Sequence, residues 1–591
     1  MSAQQLITEH IDLWTSTIKA KNTQGRGSSK KRELYGIKKL RELILELAVR
    51  GKLVPQDPND EPASVLLERI AAEKARLIKD KKIKKQKALP EITDKEKPFD
   101  LPKGWKWTLL PNISSYKTGK TPATKNSIFW GDALSDYPWV SIADLNHYGR
   151  VIDTTKRVTQ EAVEQVFKYP PVKAGTILMS FKLTLGKVSI LDVDAFHNEA
   201  IISIDPFTGV SKDYLFQVLP ERALAGSSKK AIKGNTLNSE SISRISIPFP
   251  PLAEQHRIVA KVDELMALCD QLEQQTESSL NAHNLLVDTL LSTLTDARDA
   301  KEFSDNWARL AKHFDTLITT DYAVEQLKQT ILQLAVMGKL VPQNPNDEPA
   351  SELISKLEMT RDKWLAENLS ANPECKTMRK KLKKLERPEP PFSIPDSWCC
   401  VHLIQLSRLL VDCHNKTAPY VDVGIPIIRT TNIRNRKFNF DGMKFVTEET
   451  YEFWSRRCLP EPGDIMFTRE APMGEAAVIP RGQKWCLGQR TMLIRPMHEF
   501  VSDEYLLLTL TEPHLLARAS EHAVGATVKH LRVGDVEKLN IPFPPLAEQH
   551  RIVAKVDELM ALCDQLKAQI NNAQTTQLHL SDTVVESALT A

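Results

Sequence analysis

Apolar positions along this chain follow two periods, and the longer one comes first. Leu40, Leu43, Ile44 and Leu47 keep the i, i+3, i+4, i+7 spacing that lines one face of a helix. Gly51 stands where a left-handed residue ends such a helix, and the Val-Pro and Asp-Pro-Asn-Asp steps after it predict turns. A second helix is expected from Glu61-Pro62, with the proline in its first turn, running into a basic stretch. Farther on, Ile258, Val262, Leu265, Cys269 and Leu272 alternate steps of four and three, the spacing of a coiled-coil seam. A core helix in a bundle would show similar spacing. Between these helical stretches lie short β-branched runs bounded by Gly and Pro, which predict strands, and a small helix over Asp213 to Leu219.

The helical stretches are repeated. Ile247 to Leu272, reading IPFPPLAEQHRIVAKVDELMALCDQL, returns unchanged as Ile541 to Leu566. Leu47 to Ser64 returns as Leu334 to Ser351 with two differences, Arg50/Met337 and Asp57/Asn344. Gly338 therefore repeats Gly51, and Ile552, Val556, Leu559, Cys563 and Leu566 repeat the seam. Leu286 and Leu290 extend the first seam, and Ile570, Leu580 and Val584 the second. Forty residues of helix make a rod of roughly 60 Å. Two identical seams in one chain favour intramolecular pairing, most simply antiparallel about a pseudo-two-fold axis.

The stretches between the repeats differ in wording but share a skeleton. Each opens with Pro-Phe-x-(Leu/Ile)-Pro-x-x-Trp, Pro98 to Trp105 and Pro391 to Trp398. Tyr137 to Leu145 answers Ile425 to Ile433, Gly175 to Ser180 answers Gly463 to Thr468, and Gly186 answers Gly474. Asp213 to Leu219 is matched by Asp503 to Leu510. The expected fold class is α/β (α+β), with two globular domains held apart by long antiparallel helices. The expected divisions are 1–97 (helical), 98–246 (first domain), 247–390 (central helical spacer), 391–540 (second domain) and 541–591 (terminal helix).

Composition narrows the class without naming a partner. At 591 residues, 41% apolar and 26% charged, the chain has the make-up of a soluble multidomain protein. Its formal charge of +4 is too small to establish nucleic-acid binding. Charge is locally uneven, with basic runs at Lys79 to Lys87 and Arg379 to Arg387 just before each insert. These read as solvated helix faces or as phosphate-contacting arms. The eight cysteines form no CxxC pair or zinc-like spacing, so no metal site is expected. No stretch has the length of uncharged apolar residues that spans a bilayer, and the start lacks a signal-peptide pattern. The expectation is a soluble protein of a reducing compartment, the prokaryotic cytoplasm.

Catalytic patterns are missing. Gly25 to Lys31 lacks the spacing of a phosphate-binding loop, and no GxGxxG, HExxH or GxSxG occurs. Glu389-Pro-Pro-Phe392 approaches the tetrapeptide of amino-methyltransferases, but its first residue is wrong and it sits in a linker. Glu96-Lys97 lies in a charged linker rather than a nuclease site. No enzyme activity is expected of this chain.

The doubled PFPPLAEQHRIV, each following a domain of this skeleton, resembles the specificity subunit of type I restriction–modification enzymes. The LAVxGKLVPQ block before each insert is similar to the type IB, EcoAI-like subfamily. The resemblance implies that each insert is a target recognition domain reading one half of a split, asymmetric DNA site. It implies helical frames that space the two domains and dock two methyltransferase subunits, with restriction/translocase subunits joining that core. S-adenosylmethionine, ATP and magnesium would then bind to the partners and not to this chain. Two domains on one duplex face must sit about one turn, roughly 34 Å, apart, a distance such a rod could set.

Base reading needs Arg, Lys, Asn or Gln, and phosphate contact needs cations, hydroxyls or amides. The first insert offers Lys117, Lys120, Thr121, Lys125, Asn126, Asn146, His147, Arg150, Lys182, Lys229, Lys230, Lys233 and Asn235. The second offers Arg429, Asn432, Arg434, Asn435, Arg436, Lys437, Arg469, Arg490, Lys529, His530 and Arg532. The run from Arg429 to Lys437 interleaves Arg and Asn most densely, so Arg434 or Arg436 is the expected base reader. Two rival readings remain. A single-chain restriction–methylation enzyme would need the missing methyltransferase motifs. A coiled-coil scaffold without sequence specificity would not need inserts that diverge while the frames stay constant.

Overall fold

The computed structural model describes residues 3–21, 31–83, 89, 91–132, 136–225, 229–231, 234–236, 239–414, 416–470, 472–521 and 530–590. The chain forms two compact units, Met1–Ser278 with Gln574–Ala591, and Ser279–Ala573. Each unit holds one insert and one copy of the frame.

In the first unit, helix α1 (Tyr35–Val49) buries Ile37, Leu40, Leu43, Ile44 and Leu47, the face its spacing marks out. It stops at Gly51, φ +68°. A side chain there would meet the Pro102 ring at 2.5 Å and the Trp105 ring at 3.0 Å, so only glycine lets the insert's first turn close over the helix end. Helix α2 (Ala63–Lys79) follows directly after Pro62. The insert folds as a five-stranded sheet in the order Ser114–Thr118, Ile201–Pro206, Ile177–Ser180, Val188–Leu191, Gly149–Val151. A second sheet holds Tyr137–Val140 between Phe196–His197 and Lys156–Val158. Helix α3 (Lys212–Ala225) covers the first sheet. Strand Ser246–Phe249 then pairs with Lys106–Leu109 at the domain's entrance, and helix α4 (Leu252–Thr295) leaves from there.

The second unit repeats this plan. Its helices are α5 (Asp321–Val336), α6 (Ala350–Glu367), α7 (Asp503–Leu510) and α8 (Leu546–Thr590). The main sheet runs Ser407–Asp412, Thr491–Pro496, Ile465–Thr468, Ala476–Val478, matching the first four strands of the other insert. Ile425–Ile428 again pairs antiparallel on one side and parallel on the other, and Cys399–His402 zips to Asn540–Phe543. The divergent inserts are two versions of one fold.

The wording PFPPLAEQHR is explained by what its polar side chains hold. Glu254 is 1% exposed and accepts from the Trp105 indole at 2.9 Å and the Gln56 amide at 2.6 Å. Gln255, fully buried, accepts from the Ser211 amide at 2.8 Å and donates to the Pro250 carbonyl at 3.0 Å. Arg257 pairs with Asp60, and the Tyr214 hydroxyl donates to the Pro248 carbonyl at 2.6 Å. The second copy is the same bond for bond. Glu548 meets Trp398 and Gln343, Gln549 meets Ser502 and Pro544, Arg551 meets Asp347, and Tyr505 meets Pro542.

The direction of the long helices is set by contacts inside each unit. Along α1, Tyr35 donates to Asp582 and Lys52 to the Leu589 carbonyl, so α1 runs with the tail of α8. Along the same segment Arg41 meets Asp270 and Glu273, while Gln56 meets Glu254, so it runs against α4. The two long helices are therefore antiparallel. The second unit shows the mirror arrangement. Tyr322 bonds Asp288 and Lys339 bonds the Thr295 carbonyl. Lys328 pairs with Asp564, and Lys567 with Glu325.

The seam departs from the expected pairing. Ile258, Val262, Leu265, Cys269 and Leu272 are buried in a core with Ile37, Leu40, Leu43 and Leu47 of α1, against which Val584 and Leu589 of α8 also pack. Ile552, Val556 and Cys563 are buried, and Leu559 and Leu566 half-buried, in a separate core with Leu327, Ile331 and Leu334 of α5. Each seam thus meets a frame helix of its own unit. Of the extended seam, Leu290, Ile570 and Val584 are half-buried against these cores, whereas Leu286 and Leu580 are 49% and 50% exposed with their neighbours Val287 and Ser581 buried instead. A straight helix drifts about 20° per heptad against a 3.5-residue repeat, so two heptads without supercoiling turn the stripe by about 40°, toward but short of the roughly 100° between neighbouring residues.

A second acidic group ties the insert to its frame. Glu221 on α3 has its carboxyl pushed up to about 8 by burial and by a hydrogen bond to Glu46 on α1. A value raised above its unfolded one favours the fold at low pH. That contribution is complete below the ordinary 4.5 and is lost as pH rises through about 8. Melting temperature should fall between about pH 5 and pH 8.5, and Glu221→Gln should flatten that decline. In the same repeat, Glu254→Ala should cost about 2 kcal/mol by stranding the Trp105 and Gln56 donors, whereas exposed His256→Ala should cost under about 0.5 kcal/mol. Thermal melts of the full chain read both.

Candidate nucleic-acid interface

The two inserts carry an equivalent arm. In the first, the chain leaves strand Ile177–Ser180 into Lys182–Leu183, which forms a small antiparallel sheet with Gly234–Thr236 and Lys229–Ala231. In the second, it leaves Ile465–Thr468 into a bridge between Glu470 and His530. The root of each arm is alike. The Ser180 hydroxyl accepts the Lys187 amide at 3.1 Å, and the Thr468 hydroxyl accepts the Glu475 amide at 2.9 Å. Gly186 and Gly474 close the turns at φ +73° and +86°.

The arms bring several expected residues together. Lys182 holds its ammonium 5.4 Å from the Phe181 ring, and Lys229, Lys230 and Asn235 fall on the two companion strands. Lys233 and Lys529 lie outside the described residues. In the second arm Arg469 is a strut, pairing with Asp412 at 3.0 Å and donating to the Leu531 carbonyl at 3.1 Å. Burial pushes the Asp412 carboxyl up, and Arg469 opposes that rise. Arg490, in a left-handed conformation, pairs with Glu470 at 3.0 Å and remains half exposed. Arg532 is exposed.

Beside the second arm stands a hairpin, Ile433–Arg434 paired with Lys437–Phe438. Asn435 and Arg436 form its two-residue turn at φ +51° and +64°, the double left-handed geometry that matches strand twist. The Glu475 carboxylate accepts the Asn435 amide at 2.9 Å, fastening the hairpin to the root of the arm. Much of the Arg/Asn cluster holds this hairpin in shape. Asn432 is buried and braces Arg429 and Asn439 through their backbones. Arg429 donates to the Gly442 carbonyl at 2.8 Å, and Arg434 folds onto the Thr430 carbonyl at 2.7 Å. Arg436 is half-buried, with its charged form disfavoured by burial and supported by Asp557 of α8. Lys437 is exposed.

The remaining candidates of the first insert are spread along its surface. Lys117 is exposed on strand Ser114–Thr118 and Lys125 in the loop beyond. Lys120 donates to the Val166 and Phe167 carbonyls at 2.7 and 3.3 Å, neutralising the end of a short helix. Asn126 caps the Ile128 amide, and the buried Thr121 hydroxyl has no partner among the described residues. The Asn146 side chain is exposed, as is Arg150, which pairs with Asp192. The His147 ring lies tilted against Tyr148 at 4.3 Å, and burial with nearby Lys187 pushes its imidazole value down.

Aromatic content escaped the sequence reading. Phe440, 58% exposed, stacks on buried Trp485, as does Phe438 from the hairpin. Such a surface suits contact with bases or sugars. The signal was Phe-Asn-Phe directly after the basic run, an alternation that places both rings on one side of a strand.

Among the described residues no group of three His, Cys, Asp or Glu side chains could hold a metal ion, and no helix is long and apolar enough to cross a membrane. If the arms touch duplex DNA, Arg532→Ala should weaken binding and reduce the slope of log affinity against log salt by about 1, with unchanged melting temperature. Arg469→Ala should instead lower the melting temperature, because it removes the guanidinium that pairs with half-buried Asp412.

The model of the type I restriction modification DNA specificity domain matches residues 102–282 and 412–574. Over its whole length the chain is 37% identical to the type I restriction enzyme EcoAI specificity subunit of Escherichia coli, covering all of that protein. It is 35% identical, again over the full length of both, to the EcoEI specificity subunit of the same species. Among solved structures, the HsdS subunit from Thermoanaerobacter tengcongensis aligns with 83% of this chain and 98% of its own, at 17% identity and a TM-score of 0.38.

Proposed function

Because the chain belongs to the family of type I restriction–modification specificity subunits, in its EcoAI-like branch, we propose that each insert reads one half of a split, asymmetric DNA site through its arm and the turn or hairpin beside it. The chain is the recognition component of such a system, and the family leaves catalysis to other subunits. One observation supports the two-part reading most directly. A single fold occurs twice on a frame kept identical over Ile247 to Leu272 and Ile541 to Leu566, while the exposed side chains differ. Lys182 stands at the first arm where Glu470 stands at the second. Equal scaffolds with unequal donors suit two different half-sites. Residues 98–246 and 391–540 are the recognition domains on this reading.

The frame repeats more than its fold requires. Ala253, His256, Ala260 and Ala267 are exposed on α4, and their copies Ala547, His550, Ala554 and Ala561 are exposed on α8. Their side chains take no part in the hydrogen bonds described for the frame. Identical exposed faces on two helices fit two identical partners, the methyltransferase subunits. Restriction/translocase subunits join that assembly, and S-adenosylmethionine, ATP and magnesium act on the partners.

Mapping methylated adenines in DNA treated with the chain and its methyltransferase subunit tests the reading. The expected product is an asymmetric motif interrupted by unspecified bases, and a continuous palindrome would overturn it. Replacing His256 and His550 together with Glu should weaken assembly with the methyltransferase subunit about tenfold at unchanged melting temperature, as measured by calorimetric titration.

A further inference from the structure

The second arm carries an arginine whose root is fixed and whose end is open. Arg490 directly precedes strand Thr491–Pro496, and its carbonyl accepts the Arg469 amide at 3.0 Å where the arm leaves the sheet. It holds φ +69°, a conformation that costs energy for any residue with a side chain and persists where the surroundings impose it. Its Nε lies 3.0 Å from the Glu470 carboxylate, and Glu470 is itself bridged to His530 across the arm. The Arg490 side chain is 52% exposed, and its two terminal nitrogens donate no hydrogen bond among the described residues.

The neighbouring arginines are used otherwise. Arg429, Arg434 and Arg469 commit terminal nitrogens to the Gly442, Thr430 and Leu531 carbonyls. Arg436 is half-buried and feels Asp557 of α8. Arg532 is exposed and pairs with no carboxylate side chain through its guanidinium among the described residues.

The same place in the first unit lacks the pair. Matching Gly175 with Gly463 sets Phe181 against Arg469 and Lys182 against Glu470. The Phe181 amide donates to the Ala200 carbonyl at 2.9 Å, so Ala200 stands where Arg490 does. One backbone thus presents a clamped guanidinium in the second recognition domain, and a lysine and an alanine in the first.

We propose that Arg490 reads a guanine of the second half-site from the major groove, with Glu470 as the positioning residue that aims it, an assignment that rests on the function proposed above. Guanine shows two acceptors there, O6 and N7, spaced for the two terminal nitrogens of one guanidinium; adenine puts a donor in place of O6. A carboxylate at Nε leaves those nitrogens free and restricts the side chain beforehand, so less freedom is lost on binding. An exposed ion pair adds little stability, and its value here is direction. The pair also disfavours phosphate as the target, because Glu470 offsets the cation and repels a phosphate itself. Unneutralised Arg532 suits that role.

The split motif is mapped by adenine methylation with the methyltransferase subunit, once for the unaltered chain and once for Arg490→Ala. The expected change is that one guanine, in one half of the motif, relaxes to any base at unchanged melting temperature. Arg490→Met, which keeps the bulk of the side chain, should relax the same position, and Arg490→Lys should not restore it. Glu470→Ala should relax that position too, which loss of a merely stabilising contact would not do. A duplex with 7-deazaguanine there, lacking the N7 acceptor, should bind the unaltered chain about tenfold more weakly and Arg490→Ala no more weakly than guanine does. Hypoxanthine, which keeps both acceptors, should bind as guanine does. An unchanged motif with uniformly weaker binding and a salt slope smaller by about 1 makes Arg490 a phosphate contact and overturns the proposal. Relaxation at a base other than guanine, or indifference to 7-deazaguanine, also overturns it. If the unaltered chain yields no split motif, the functional reading falls and this assignment with it; a split motif that Arg490→Ala leaves intact sinks this assignment alone.

Discussion

Everything in this molecule is referred to one buried carboxylate per unit. Glu254, and Glu548 after it, sits where three distant segments converge: the turn after the first frame helix, the entrance of the recognition domain and the start of the long helix. A carboxylate loses much hydration on burial and holds its place only if the lost bonds are replaced. Burial pushes the Glu254 carboxyl up, and the Trp105 and Gln56 donors pull against that rise. Three segments must therefore arrive together or leave a bare charge behind. Such a junction fixes the angle at which a globular domain meets a helical rod, which apolar packing alone would define loosely.

Polar staples likewise settle the orientation of the long helices. Buried leucines pack about equally well whichever way a neighbouring helix runs. The bonds of Tyr35 and Lys52 to one helix, and of Arg41 and Gln56 to the other, are directional and work only for antiparallel partners. Most of these pairs are partly exposed and individually worth little in stability. Their value is in excluding the alternative arrangement.

How much was legible in the sequence depended on how local each signal is. Helix faces, the stop at Gly51, the shared skeleton of the inserts and the family were readable, because each rests on spacing within a few turns or on repeated wording. The seam was recognised, but its partner was not. A stripe of Ile258, Val262 and Leu265 says that a face is buried and is silent about what buries it. The interface residues were the least legible. Arg and Asn are chosen equally for reading bases and for closing a tight hairpin, and Asn432, Arg434 and Asn435 are all bonded within their own hairpin or to its anchor. Composition could not separate those uses, since they differ only in where the backbone carbonyls lie.

The hairpin also shows how specificity can change while the fold stands still. Its turn uses two left-handed residues, Asn435 and Arg436, and in the first unit Tyr148 stands at the place of Arg436 with the same left-handed backbone. Their side chains act differently: tyrosine commits its polar end to a carbonyl of its own domain, and arginine carries charge to the rod. A substitution that leaves the scaffold in place therefore alters what the surface still requires. Over many such positions, two copies of one domain acquire unlike chemistry without either losing its grip on the frame. That separation arises from putting the bonds that join domain to frame in the buried junction around Glu254 and Glu548, away from the exposed side chains of the arms.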